Sequence, residues 1–240
     1  MTVASAMCGE EVPENTILVG IGGRYEWKNK GIDVFIDALD KLNHTDFKGK
    51  CVHAFIMIPS GHNGPDKQLL AKLAGNGSGY VTRTSHYLMN PEYDNVTRRL
   101  NDLALNNAIG DKVKVYFIPS YLNGNDGIFN MPYYDLLAGL DLTLFPSYYE
   151  PWGYTPLESI ACSVPTITSN LSGFGLWAVK QADHDGVEVI RRDDSNDTYA
   201  VEQLVDSVLR FLNLTQEQVD DVRESARSLS KKALWSKFFK

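Results

Sequence analysis

Phe145-Pro146-Ser147-Tyr148-Tyr149-Glu150-Pro151-Trp152-Gly153-Tyr154-Thr155-Pro156-Leu157-Glu158 opens the segment that decides the fold. It runs on through an apolar helix to Val164-Pro165-Thr166-Ile167-Thr168 and Asn170-Leu171-Ser172-Gly173-Phe174-Gly175. The pattern predicts a strand end, a sharp turn, a helix start and a further strand. Pro156 suits the first helical position and Thr155 the N-cap, which puts Glu158 at the third position of a capping box. Glu150 and Glu158 flank the turn eight residues apart. Backbone amides at a helix start have no intrahelical acceptor, so Gly153, Tyr154 and Thr155 are candidate anion donors. Glu150, ahead of a proline in a tyrosine-rich turn, is poorly suited to a core and reads as a ligand-facing residue.

Outward from this segment, short apolar runs alternate with helical periodicity. Thr16 to Gly22, Val52 to Pro59, Val113 to Ile118, Leu140 to Phe145, Thr166 to Thr168 and Val187 to Ile190 read as strands. Ile32, Phe35, Ile36, Leu39 and Leu42 mark one face of a helix. Further helices are predicted around Leu69, Leu70 and Leu73, around Val96, Leu100, Leu103 and Leu105, over Tyr133 to Ala138, over Thr198 to Leu212, and over Gln216 to Lys231 behind a Thr215-x-x-Gln218 capping box. The stretch 60–111 reads as an insertion between strands. The alternation predicts an α/β fold with a mostly parallel, Rossmann-like sheet and helices on both faces. Residues 1–15, small, polar and acidic, read as a leader or linker remnant, and 16–240 as one domain.

Composition narrows the partners. A length of 240 residues with 43% hydrophobic content supports a core without disulfide or metal staples. The net charge of −7, with no basic block, argues against nucleic acid and anionic membrane. Cys8, Cys51 and Cys162 form no Cys-x-x-Cys pair, which suits free thiols in a cytoplasm. No secretory leader or membrane-length apolar run is read. The five histidines show no ligand spacing, and no Gly-x-Ser-x-Gly elbow is present. Asp183-His184-Asp185 has the spacing of a metal-binding D-x-D, but its surroundings read as a solvated loop. No metal and no cofactor are expected.

In parallel sheets ligands bind beyond the carboxyl ends of the strands, which points to three loops. Gly20-Ile21-Gly22-Gly23-Arg24-Tyr25-Glu26-Trp27-Lys28-Asn29-Lys30-Gly31 combines close-approach glycines with Arg24 and Lys30 just before a helix, an arrangement suited to a diphosphate. It lacks the third glycine of the dinucleotide fingerprint and is not a P-loop. The second loop is Phe145 to Glu158. The third carries Tyr121, with Tyr133 beyond it; both can stack on a flat base or simply pack.

The Gly23-Arg24-Tyr25-Glu26 and Asn29-Lys30-Gly31-x-Asp33-Val34-Phe35 strings, Tyr148 to Pro156, and Asn170 to Gly175 together resemble the C-terminal half of glycogen synthases of the animal and fungal type, also found in some bacteria. The resemblance covers most of residues 16–190. It implies one half of a GT-B fold and metal-free, retaining transfer of glucose from UDP-glucose to the non-reducing end of glycogen. It further implies that Glu150 and Glu158 are the family's Glu-x7-Glu pair, that Arg24 and Lys30 hold the diphosphate beside Gly23, that Gly153, Tyr154 and Thr155 bind phosphate oxygens, and that Tyr133 stacks on uracil. Tyr121 follows the pattern only loosely. The half that would carry the acceptor site is missing, and Phe238-Phe239-Lys240 stands where the family continues into a helix crossing back to it. The expectation is a cut-out domain supplying the donor site, with a non-catalytic sugar-nucleotide or glycogen-binding module as the alternative.

Overall fold

The computed structural model describes residues 2–77 and 79–234; the 238–240 end named above lies outside them. In chain order the helices are α1 (Thr2–Cys8), α2 (Ile32–Asn43), α3 (Lys67–Leu73), α4 (Asn95–Asp102), α5 (Tyr133–Ala138), α6 (Tyr154–Ala161), α7 (Gly173–Ala178), α8 (Asp197–Leu212) and α9 (Gln216–Lys232). The strands are β1 (Ile17–Gly22), β2 (Val52–Met57), β3 (His62–Pro65), β4 (His86–Leu88), β5 (Val113–Ile118), β6 (Leu142–Phe145), β7 (Thr166–Ser169) and β8 (Val187–Ile190). Six of these strands form one sheet in the order β5-β2-β1-β6-β7-β8, and every pairing in it is parallel. The Rossmann-like expectation therefore holds.

The strands alternate between two apolar layers, which is why helices cover both faces. Along β2, Ala54 and Ile56 pack with α2 and α8, whereas Phe55 and Met57 pack with Ala4 and Met7 of α1, Leu69 of α3 and Leu137 of α5. Along β5, Val115 and Phe117 join the first layer and Tyr116 and Ile118 the second. Each fully buried aliphatic or aromatic side chain contributes about 1.5–3 kcal/mol, so these layers carry the fold. A third cluster, built on Ile160, Phe174, Val187, Ala226 and Leu229, seats α6, α7 and α9 at the β8 end.

The chain moves outward from β1 through β2 to β5, then returns to the other side of β1 with β6 and continues to β8. That reversal leaves a crevice at the carboxyl ends of β1 and β6, where the flanking loops splay apart. The first two loops singled out from the sequence leave from these two strand ends.

Several local features differ from the sequence reading. Residues 2–8, in the stretch expected as a leader, form α1, with Met7 fully buried and Cys8 3% exposed. Residues 60–111 contain, besides the two helices, an antiparallel β3–β4 pair. His62-Asn63-Gly64-Pro65 carries no apolar alternation, so nothing in its pattern announces a strand. Leu103 and Leu105 lie beyond α4, because the chain leaves the helix at Ala104 with φ 52°. The Thr215–Gln218 capping box forms as expected, the Gln218 amide donating to Thr215 Oγ1 and the Thr215 amide to Gln218 Oε1.

Candidate functional site

The α6 start corrects one expectation. Thr155 is not the N-cap and Pro156 is not the first helical residue: the helix begins at Tyr154, with Gly153 as its cap. Gly153 has φ 114°, a region that side chains with a Cβ rarely enter, so the chain turns into the helix two residues early. Pro156 then occupies the third position, where its missing N–H is still no loss. Glu158 falls beyond the first three positions and completes no capping box. No side chain caps this end, which leaves the first amides of α6 facing outward as donors.

Glu150 is held from both sides. Its amide donates to Leu171 O at 3.3 Å, and its carbonyl accepts from the Gly173 amide at 3.0 Å. The Ser172 hydroxyl donates to Trp152 O at 3.0 Å. The Asn170 to Gly175 string is thus the buttress of the Glu150 turn. On the opposite side, Asn29 O accepts from the Tyr148 amide at 2.9 Å, stitching the first loop to the second. Lys30 Nζ and Glu150 Oε2 form an ion pair across this seam, with side chains only 11% and 15% exposed.

A cleft of about 420 Å³ opens beside that seam. Gly23, Arg24, Tyr121, Tyr133, Thr155 and Glu158, all singled out from the sequence, line it together with Tyr25, Met57 and Ser120. Arg24 is largely exposed at the cleft wall, its guanidinium paired with Glu26 at 2.9 Å. Tyr121 is 76% exposed at the rim. Tyr133 is half-buried against Gly22; its buried hydroxyl has no hydrogen-bond partner among the described residues, and burial pushes its ionisation far above the usual phenol range. Lys30, Glu150, Gly153 and Tyr154 do not line this cleft but belong to the adjoining turn and helix start.

Sequence reasoning missed two supports. The Tyr134 hydroxyl donates to Glu158 Oε1 at 2.9 Å, orienting that carboxylate. The Tyr25 hydroxyl donates to Asp94 Oδ2 at 2.7 Å and accepts from the Val96 amide at 3.1 Å, pinning the first loop to the start of α4. Tyr25 lies inside the quoted Gly23 to Glu26 string and Tyr134 follows Tyr133, but nothing in the sequence marks the partner of either hydroxyl.

Among the described residues no group of His, Cys, Asp and Glu is arranged to hold a metal ion. In the Asp183-His184-Asp185 loop both aspartates are exposed, and His184 Nδ1 meets Gln181 O at 3.0 Å. All three cysteines are free. No described helix is long and apolar enough to cross a membrane.

Comparison with known proteins meets this geometry from outside. The family model described as glycogen synthase matches residues 10–74 and 79–239. Glycogen [starch] synthase isoform 2 of Saccharomyces cerevisiae is 29% identical over an alignment covering 93% of this chain and 41% of the yeast protein. The Neurospora crassa enzyme of the same name is 27% identical, covering 94% and 40%. The chain thus spans about two fifths of the length of these curated relatives. Among solved structures, the N-terminal domain of Candida albicans trehalose-6-phosphate phosphatase superposes with a TM-score of 0.51 at 13% identity, covering 91% of this chain and 39% of that one, a likeness of fold alone. A family model matching nearly every residue makes this chain, with its six-stranded parallel sheet, a member of the glycogen synthase family.

Proposed function

We propose that residues 16–240 are the sugar-nucleotide domain of a glycogen synthase, supplying the donor site for retaining transfer of glucose from UDP-glucose to the non-reducing end of an α-1,4-glucan. The acceptor site belongs to an N-terminal half, and the reaction takes place in the cytoplasm, a setting supported by the free cysteines. The observation that carries this reading is the Lys30–Glu150 ion pair, which joins the loop after β1 to the loop after β6 beside a cleft lined by Arg24, Tyr133 and Glu158.

In the transfer, the bond between the anomeric carbon and the UDP phosphate breaks as the sugar takes on oxocarbenium character. The leaving phosphate accumulates negative charge, and stabilising it is the main chemical task. Arg24, Lys30 and the amides at the α6 start are the donors aimed there; by analogy with oxyanion-hole donors each is worth about 3 kcal/mol. Diphosphate entry draws Lys30 away from Glu150. The freed carboxylate then accepts hydrogen bonds from glucose hydroxyls and opposes the developing positive charge. Glu158, oriented by Tyr134, faces the ribose, and Tyr133 packs on the uracil. The acceptor hydroxyl oxygen bonds the anomeric carbon on the face from which the phosphate departs, which yields retention, and the leaving phosphate takes that hydroxyl's proton.

Calorimetric titration with UDP, ADP and UDP-glucose, repeated for Arg24→Ala, tests the donor site. Because Arg24 is exposed, that variant leaves stability within about 0.5 kcal/mol while UDP binds roughly tenfold more weakly, as befits a lost charge-assisted contact. An unchanged UDP affinity removes the first loop from the site. Glucosyl transfer that appears when an N-terminal half is supplied supports the enzyme; binding with no transfer by the restored protein supports a non-catalytic module.

A further inference from the structure

Arg192, just past β8, belongs to no motif legible in the sequence, yet its side chain is 1% exposed. Its Nη1 donates to Pro146 O, beneath the turn that leads to Glu150. Its Nη2 donates to Asp197 Oδ1 at 2.6 Å. The guanidinium lies 5.5 Å from the centroid of the Tyr148 ring, and the Arg192 amide donates to Asn170 Oδ1. One residue therefore grips both ends of the Glu150 turn: the Pro146–Tyr148 limb on one side and the Asn170 buttress on the other. Tyr148, in turn, is the residue whose amide is held by Asn29, next to Lys30.

Burying a guanidinium is costly, and its Nε finds no partner among the described residues. A well-packed apolar side chain of similar volume serves stability as well or better. What only a planar, forked cation supplies is simultaneous purchase on a carbonyl, a carboxylate and an aromatic face. We infer that Arg192 is a positioning residue for glucosyl transfer, fixing the Pro146–Tyr148 limb so that the Glu150 carboxylate meets the sugar of the donor. The inference deepens the donor-site reading and rests on it.

The test is a double-mutant cycle on the affinity of the 240-residue chain for UDP-glucose, with UDP alone as the control ligand. The variants are Glu150→Gln, Arg192→Lys, Arg192→Met and the pairwise combinations with Glu150→Gln. Arg192→Met fills the volume without the charge and keeps the cycle available should Arg192→Lys fail to fold. Acting through Glu150, each Arg192 variant weakens UDP-glucose binding about fivefold, leaves UDP binding within about twofold, and adds little once Glu150→Gln is present. Additive losses in the double variants, or equal losses for UDP and UDP-glucose, overturn the positioning role while leaving the donor site standing. A wild-type chain that binds no UDP-glucose overturns the donor-site reading, and this inference with it.

Discussion

Lys30 Nζ and Glu150 Oε2, separated by 120 residues of sequence, form an ion pair that closes the seam between the loops after β1 and β6. Both side chains are mostly buried, so removing one leaves the other charge uncompensated. Lys30→Met is expected to destabilise the chain by roughly 2 kcal/mol, somewhat less than is usual for a fully buried pair. Adding Glu150→Gln should recover part of that loss. Urea unfolding of the two single variants and the double variant measures the coupling; strictly additive losses contradict the pair's structural role.

Gly31 caps α2 in the left-handed region, at φ 67°. A Cβ built there falls 2.1 Å from Pro146 O, which is backbone and cannot give way locally. Gly31→Ala should therefore cost on the order of 3 kcal/mol and separate the first two loops. Thermal unfolding reports it; a melting temperature unchanged from wild type contradicts the close approach.

Gly22 offers a gentler probe. A Cβ there meets the Tyr133 hydroxyl at 2.8 Å, so Gly22→Ala displaces the ring into the cleft rather than breaking the backbone. With base stacking worth about 1–3 kcal/mol, affinity for UDP should fall roughly tenfold while the fold persists. Equal affinities for wild type and variant remove Tyr133 from the base site.

His53 makes stability depend on pH. Its folded ionisation falls from 6.5 to about 4, chiefly because burial disfavours the imidazolium and next because the Lys114 ammonium is near. Between those values the unfolded chain takes up a proton that the folded chain refuses. The contribution is complete above pH 6.5 and is lost as pH falls towards 4; the slope is about 1.4 kcal/mol per pH unit, on the order of 3 kcal/mol in all. His86, lowered mainly by burial, acts in the same direction. His53→Gln keeps a partner for the Tyr116 hydroxyl and should flatten the unfolding free energy across this window. An unaltered slope contradicts the assignment.

Much of the fold was written in local pattern. β5, α5 and β8 fall where apolar runs and periodicity put them, and the Thr215 capping box forms as its spacing predicts. What local pattern could not reveal is burial set by distant partners. Arg192, within Arg191-Arg192-Asp193-Asp194, reads as a solvated charge run; only the return of β8 beside the Pro146 turn buries it. α1 escaped notice because seven residues are too few to display a helical period, and Ala4, Met7 and Cys8 are buried only by the second apolar layer of the sheet. The α6 start was misjudged because Thr155-Pro156 imitates a cap followed by a first-turn proline, while the positive φ of Gly153 carries no sequence mark beyond being glycine. For the candidate site, Arg24, Tyr133 and Glu158 were singled out from the sequence and line one cleft, whereas the partners that hold Tyr25, Tyr134 and Arg192 come from distant chain that local pattern does not show.

One sugar nucleotide is expected to touch the loop after β1 and the start of α6 together. Backbone amide chemical shifts of the chain, titrated with UDP, test it most directly. The largest changes are expected to cluster at Gly23 to Lys30 and at Gly153 to Thr155, with Tyr133 beside them, and Arg24→Ala is expected to diminish both clusters. Changes confined to the amino-terminal edge of the sheet, around Cys51, His53 and Lys114, or to one of the two loops alone, would contradict it.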